Sequence, residues 1–345
     1  MAAPAPAASR KRRAPDDDGG STAAAAAPAC KKHELEPYDY EFRSIHDYEQ
    51  LEVLGEGSYG VVVKACDRRT GDTVAIKMAR ASNRDSRAVV REACRLAECL
   101  GHPSVVQIRD LAAEEETGEL FLVMEFAGPS LHRLLRQRQQ RPFTVAETRG
   151  FMWQLLGALT TLHDVLRMVH RDIKPANILV SGGGEVMKLC DFGTAAPVMR
   201  NPAETPYPEP RVGTLWYRAP EQLQGGRCYG PGVDVWALGC VMVELLTGEP
   251  LFAKADDEDD LLVMAMQLRQ EIVSAGPEVF SGLPEPLSPA GRELLRGLLC
   301  FDPEERLTAA EALQHRWFVG DKEEEKDTVV AEAEHPGSVP LLSAA

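Results

Sequence analysis

An α+β fold in two lobes is what this sequence predicts: a small antiparallel β lobe carrying one helix, then a larger, mainly helical lobe. Three observations carry that expectation. A length of 345 residues suits about two domains. A composition of 44% hydrophobic and 26% charged residues can fill a full-sized core. The texture also changes along the chain, from short β-type runs before residue 125 to helical periodicity after residue 130.

Residues 1–45 are Ala/Pro-rich, contain the basic cluster Arg10-Lys11-Arg12-Arg13 and offer few large apolar side chains, so a disordered leader is expected. The β lobe, 48–126, reads as strands at 48–54, 61–67, 73–78 and 121–125, with one helix at 87–100. A hinge falls at 125–128. The second lobe, 130–318, shows helical patterns such as 145–166 and 233–246. Residues 319–345 form an expected disordered tail; 321–345 carry seven acidic and two basic side chains. There are no internal repeats.

The formal charge is −15, of which −5 lies in 321–345 and −1 in 1–47, leaving −9 on the body. Such a chain is poorly suited to neutralising nucleic-acid phosphates, so no nucleic-acid partner is expected. No run approaches about 18 apolar residues, and the best stretch, 235–246, is interrupted by Glu244; no membrane partner is expected either. Eight cysteines without a C-x-x-C pair suggest a reducing, intracellular compartment. Arg10 to Arg13 read equally as a nuclear-import signal or a solubilising patch, which leaves nucleus or cytoplasm open.

Gly55-Glu56-Gly57-Ser58-Tyr59-Gly60-Val61-Val62 is a G-x-G-x-x-G-x-V run. Glycines spaced this way also open dinucleotide-binding folds, but there a helix follows. Here Val61 to Val63 continue as a strand, a turn at 69–72 follows, and Val74-Ala75-Ile76-Lys77 is strand again. Glycines in a strand–turn–strand unit let backbone N–H groups approach the phosphates of a nucleotide. Further on stand His170-Arg171-Asp172-Ile173-Lys174-Pro175-Ala176-Asn177 and Asp191-Phe192-Gly193. Phosphoryl transfer needs a carboxylate beside the acceptor hydroxyl and oxygen ligands for a divalent cation, and both motifs can supply them.

With these motifs in this order, the sequence closely resembles the eukaryotic protein kinases over 48–318. The resemblance implies a bilobal kinase fold, ATP and Mg²⁺, and protein substrates. It matches Asp172 to the catalytic base and Lys174 to the γ-phosphate contact of the serine/threonine class. Lys77 matches the α/β-phosphate lysine, with Glu92 as its helix partner and Glu98 as the rival. Asn177 and Asp191 match the metal ligands. Leu54, Val62, Ala75 and Leu179 match the adenine sandwich, Met124 the gatekeeper, and the backbone of Glu125 and Ala127 the hinge contacts. Thr214 matches a threonine contacting Asp172 and Lys174, Asp234 the brace of the catalytic segment, and Glu221 with Arg306 a structural ion pair. A kinase-fold scaffold that binds nucleotide without transfer is the alternative, and the intact motif set weighs against it.

Thr214-Leu215-Trp216-Tyr217-Arg218-Ala219-Pro220-Glu221 resembles the group containing cyclin-dependent kinases, in which the arginine at this place favours proline after the target residue. Ser58-Tyr59 resembles the pair whose phosphorylation blocks ATP in that group. The body is similar to plant cyclin-dependent kinases of the F type. Three features depart from the group. Residues 85–92 lack the cyclin-recognition sequence, which leaves a cyclin partner open, and the segment 252–291 is short. The position of the activating phosphothreonine falls on Glu209, which either supplies a standing negative charge or is a solvated loop residue. Thr205 and Tyr207 are further candidate modification sites. Residues 256–260, Asp-Asp-Glu-Asp-Asp, read as a solvated loop before a helix, and Cys190 as a buried, inert thiol beside the nucleotide site.

Overall fold

The computed structural model describes residues 42–57, 60–79, 86–201, 204–224 and 226–319. Its first lobe is built on β1 (Arg43–Ser44), β2 (Tyr48–Gly57), β3 (Gly60–Asp67), β4 (Thr73–Ala79), β5 (Ile108–Ala113) and β6 (Leu120–Glu125). They form one sheet in the order β1-β5-β6-β4-β3-β2, antiparallel except for the parallel β1–β5 pair. Period-two alternation gives the sheet two different faces. Val63, Ile76 and Val123 align across three strands and bury with Tyr48, Val74 and Phe121 in a small apolar cluster. The opposite face carries Val62 opposite Lys77, Lys77 opposite Leu122, and Ala75 opposite Met124. Helix α1 (Ser86–Glu98) buries Glu92, Ala93 and Leu96, and the last two join Leu122 and Met124 in the main core.

The first described strand lies earlier than the sequence suggests. Arg43 and Ser44, inside the expected leader, pair with β5, and the Arg43 guanidinium donates to both oxygens of Asp67 at 2.8 and 3.0 Å. It also lies over the Tyr48 ring at 4.5 Å. A charge-assisted fork onto a buried carboxylate holds the segment where composition alone gave no reason for it to order. The rest of the expected leader, Arg10 to Arg13 included, and the expected tail beyond Val319 lie outside the described residues.

The second lobe contains α2 (Leu131–Gln137), α3 (Val145–Thr160), α4 (Pro220–Leu223), α5 (Gly232–Thr247), α6 (Glu258–Ala275), α7 (Pro289–Leu298), α8 (Ala309–Leu313) and α9 (Arg316–Val319). Its centre is α5, mostly apolar and buried on every side from Val233 to Leu246, as a helix enclosed by others must be. Helix α3 starts at a capping box between Thr144 and Glu147, and passes into a π-helical turn over Thr161–Val165. The 256–260 run is less of a loop than expected: Asp257 caps α6, and Glu258, Asp259 and Asp260 form its first turn, where the helix dipole favours acids. Four short strands complete this lobe. They are β7 (Met168–Val169), paired with β10 (Ala196–Pro197), and β8 (Ile178–Ser181), paired with β9 (Val186–Leu189).

Candidate active site

The phosphate loop closes the β2–β3 hairpin, with Gly57 opposite Gly60. A Cβ added at Gly55 or Gly57 would meet no protein atom within 4 Å, so packing does not require these glycines. Their bareness instead leaves the backbone open to a close ligand. Glu56, Val61 and Val62 belong to the same hairpin; Ser58 and Tyr59 lie outside the described residues.

Below the hairpin, Lys77 Nζ donates to both oxygens of Glu92, at 2.8 and 2.7 Å, and to Asp191 Oδ1 at 2.7 Å. Glu98 is exposed, so it is not the partner of Lys77. Burial disfavours the Lys77 charge, but the two carboxylates outweigh it and hold the ammonium well above its ordinary range. Burial pushes Glu92 up, whereas the half-buried Asp191 is held down by the same ammonium. Asp191 adopts a left-handed conformation, φ 62°, that turns its carboxylate to Lys77. The following Phe192 is fully buried edge-on to His170, with ring centroids 4.9 Å apart. Arg95, one turn beyond Glu92, donates to the carbonyls of Phe192 and Gly193 and so ties α1 to this segment.

Asp172 is held from three sides. Thr214 donates to Oδ1 through its backbone N and Oγ1, both at 2.9 Å. Lys174 Nζ reaches Oδ2 at 2.8 Å and Thr214 Oγ1 at 2.6 Å. Asn177 Nδ2 donates to the Asp172 carbonyl and to Oδ2 at 2.9 and 3.0 Å. The loop bearing Asp172 is braced by Asp234, which accepts from the backbone N–H groups of His170 and Arg171 at 2.8 Å and meets His163 at 2.9 Å. Burial pushes Asp234 up, but His163 and these donors overcome it and keep the carboxyl ionised. Glu221 and Arg306 form the expected pair, at 2.6 and 3.0 Å, with Arg306 fully buried.

Of the residues expected around adenine, Ala75, Met124 and Ala127 are buried and Leu54, Val62 and Leu179 are half-buried. The Glu125 N–H is committed to Gln107 O and its carboxylate to Lys188, so its backbone carbonyl is what it can offer a ligand. Asn177, bonded through its amide nitrogen, presents an oxygen, and the Asp191 carboxylate lies at the cleft beside Lys77. Two oxygen donors without a complete protein cage suit Mg²⁺, which takes most of its shell from phosphates and water. Among the described residues no three His, Cys, Asp or Glu side chains converge as a metal cage.

Glu209 lies with the buried Arg171. Arg171 Nη1 contacts Glu209 Oε2 at 3.0 Å, its Nε donates to Thr194 O at 2.6 Å, and its guanidinium covers the Tyr207 ring at 4.7 Å. Partial burial raises the Glu209 carboxyl, but Arg171 more than offsets this and holds it below its ordinary range. Tyr207 has no solvent exposure and donates to Pro197 O, which removes it as a modification site in this arrangement; Thr205 is exposed. The Cys190 thiol is pushed up by burial and by Asp191, in keeping with an inert role. Sequence reading missed Arg95, His163 and the Tyr207 shelf. Arg95 was within reach, three residues after Glu92 on one helical face.

A sheet lobe and a helical lobe, with a lysine–glutamate pair, a braced aspartate and two oxygen donors facing one cleft, define a phosphotransferase architecture. Residues 48–318 match the model of the protein kinase domain, and the chain belongs to that family. It is 39% identical over 298 residues to "Putative cyclin-dependent kinase F-2" of Oryza sativa subsp. japonica, spanning 79% of this chain and 89% of that one. It is 40% identical over 304 residues to Cell division control protein 2 homolog 2 of Trypanosoma brucei brucei, spanning 82% and 86%. Cyclin-dependent kinase-like 4 of Mus musculus is 35% identical over 301 residues, spanning 81% and 85%. The chain is a serine/threonine protein kinase of the cyclin-dependent type.

Proposed function

We propose that the chain transfers the γ-phosphate of ATP to a Ser or Thr followed by proline, without an activating phosphate on the loop at 204–213. The observation that carries this is the joint set of contacts around Asp172 and Lys77 in a single chain. Asp172 orients the acceptor hydroxyl and takes its proton as the new O–P bond forms and the bond to the β-phosphate oxygen breaks. Lys174, which bonds Asp172 and Thr214, contacts the γ-phosphate in this proposal, and Lys77 the α/β-phosphates. Asn177 and Asp191 would hold Mg²⁺, which neutralises charge on the transferred group when bound. Leu54, Val62, Ala75, Met124 and Leu179 enclose the adenine, with backbone contacts from Glu125 and Ala127.

Proline selectivity follows from Gly213. Its carbonyl accepts from Arg218 Nε at 2.8 Å, while Arg218 Nη1 pairs with Glu258 at 2.6 Å. A residue following the target would find that carbonyl already taken, and proline alone has no N–H to leave unpaired. Kinetics with matched Ser-Pro and Ser-Ala peptides test this: the Ser-Pro preference should narrow in Arg218→Ala. An unchanged ratio would contradict it. Because Lys77 already engages Glu92 in a single chain, the reading favours activity without a cyclin, to be checked by assays with and without added cyclins. The free cysteines among the described residues support a reducing compartment, either nucleus or cytoplasm.

A further inference from the structure

Against the hinge lies a cavity of about 890 Å³ whose lining includes none of Leu54, Val62, Ala75, Met124 and Leu179. Leu134 of α2, Phe143, Phe151 of α3, Val180 of β8 and Met187 of β9 give it an apolar floor. One wall is the β8–β9 turn, where Gly182, Gly183 and Gly184 leave the edge bare of side chains. The wall is fixed to α3, because Gln154 donates to Glu185 O at 2.8 Å and accepts from Met187 N at 3.0 Å. The groove is therefore formed in advance, and its size suits a short apolar peptide segment.

Two further observations point to its occupant. The described body ends at Val319, and Phe318 stacks edge-on against Trp153 at 5.4 Å. Trp153 is adjacent in α3 to Gln154 and less than one turn from Gly150, both of which line the cavity. The chain thus leaves the body beside the groove. Val339 lies twenty positions beyond Val319, a reach of up to about 66 Å at roughly 3.3 Å per residue. Charge is also complementary. Residues 131–142 carry Arg133, Arg136, Arg138 and Arg141 and no acid, and all but Arg138 are exposed. Residues 321–334 carry seven acids against two lysines and are followed by Val339-Pro340-Leu341-Leu342. Of the acids lining the groove, Glu147 is committed to the Thr144 cap, leaving Glu185 at the turn.

We propose that residues 321–342 of this chain dock in cis in the groove against the hinge, Val339 to Leu342 in the cavity and the acids along α2. Tethering presents the segment at an effective concentration that a separate partner does not reach. Photocrosslinking in the full chain tests this, with Glu185→p-benzoylphenylalanine at the turn and, separately, Arg136→p-benzoylphenylalanine on α2. Trypsin cuts after Lys326, and the peptide that follows holds no further lysine or arginine through residue 345. The expected result is that peptide crosslinked in the monomer band, with yield falling at least about tenfold in Leu341→Asp/Leu342→Asp. Absence of the peptide from both probes, undiminished yield in the double variant, or crosslinks confined to a dimer band would each overturn the proposal.

Discussion

Replacing Glu209 by alanine removes the carboxylate facing Arg171, whose side chain is only 2% exposed whereas that of Glu209 is 50% exposed. Breaking a fully buried pair costs about 3–5 kcal/mol, and an exposed pair contributes about 0–1. Arg171 keeps Thr194 O and the Tyr207 ring, and water can enter where Glu209 stood, so about 1–2 kcal/mol is expected. That corresponds to roughly a 5- to 30-fold loss of the ordered loop. The assay is kcat/KM on a Ser-Pro peptide, using protein shown by mass spectrometry to be unphosphorylated, with hydrogen exchange over 204–213 alongside. Glu209→Ala and Glu209→Gln should both lose activity and protection, and Glu209→Asp should lose less. The folded carboxyl is held below its ordinary range, so the contribution is present above the ordinary value and lost as pH falls through the lower folded one. Protection should therefore hold between pH 7 and pH 5. Wild-type kinetics and exchange in Glu209→Gln would refute the reasoning.

Glu221→Ala should destabilise by about 3 kcal/mol, since it strands the buried Arg306 charge, whose remaining partners are carbonyls of Gly232, Cys300 and Phe301. Thermal unfolding should show a midpoint at least about 5 °C lower. Arg43→Ala should cost about 1–2 kcal/mol in denaturant unfolding and speed hydrogen exchange in β1 and β5 first, because Arg43 joins that edge to Asp67.

Much of this site could be read directly because its chemistry is local in sequence. Asp172, Lys174 and Asn177 lie within six residues, and the structure brings Lys174 and Asn177 onto the Asp172 carboxylate. The lysine–glutamate pair required a choice between Glu92 and Glu98, and helical phase decided it: Glu92 shares the buried face with Leu96, while Glu98 points outward. What stayed hidden depends on contacts between distant residues. The order of Arg43 rests on Asp67, 24 residues away, and the burial of Tyr207 on Arg171 and Tyr229. Strands of two to four residues such as β7 and β8 bury too little by themselves to leave a period in the sequence.

The central claim is that Asp172 carries phosphoryl transfer from ATP. Its most direct test is incorporation of labelled γ-phosphate into a Ser-Pro peptide by wild-type protein and by Asp172→Asn, with Mg²⁺ present and folding matched by thermal melts. The substitution retains the size of the side chain and removes the carboxylate that Lys174 and Thr214 hold. A loss of at least about 100-fold in kcat, with ATP binding intact, is predicted. Equal incorporation by the two proteins would contradict the account.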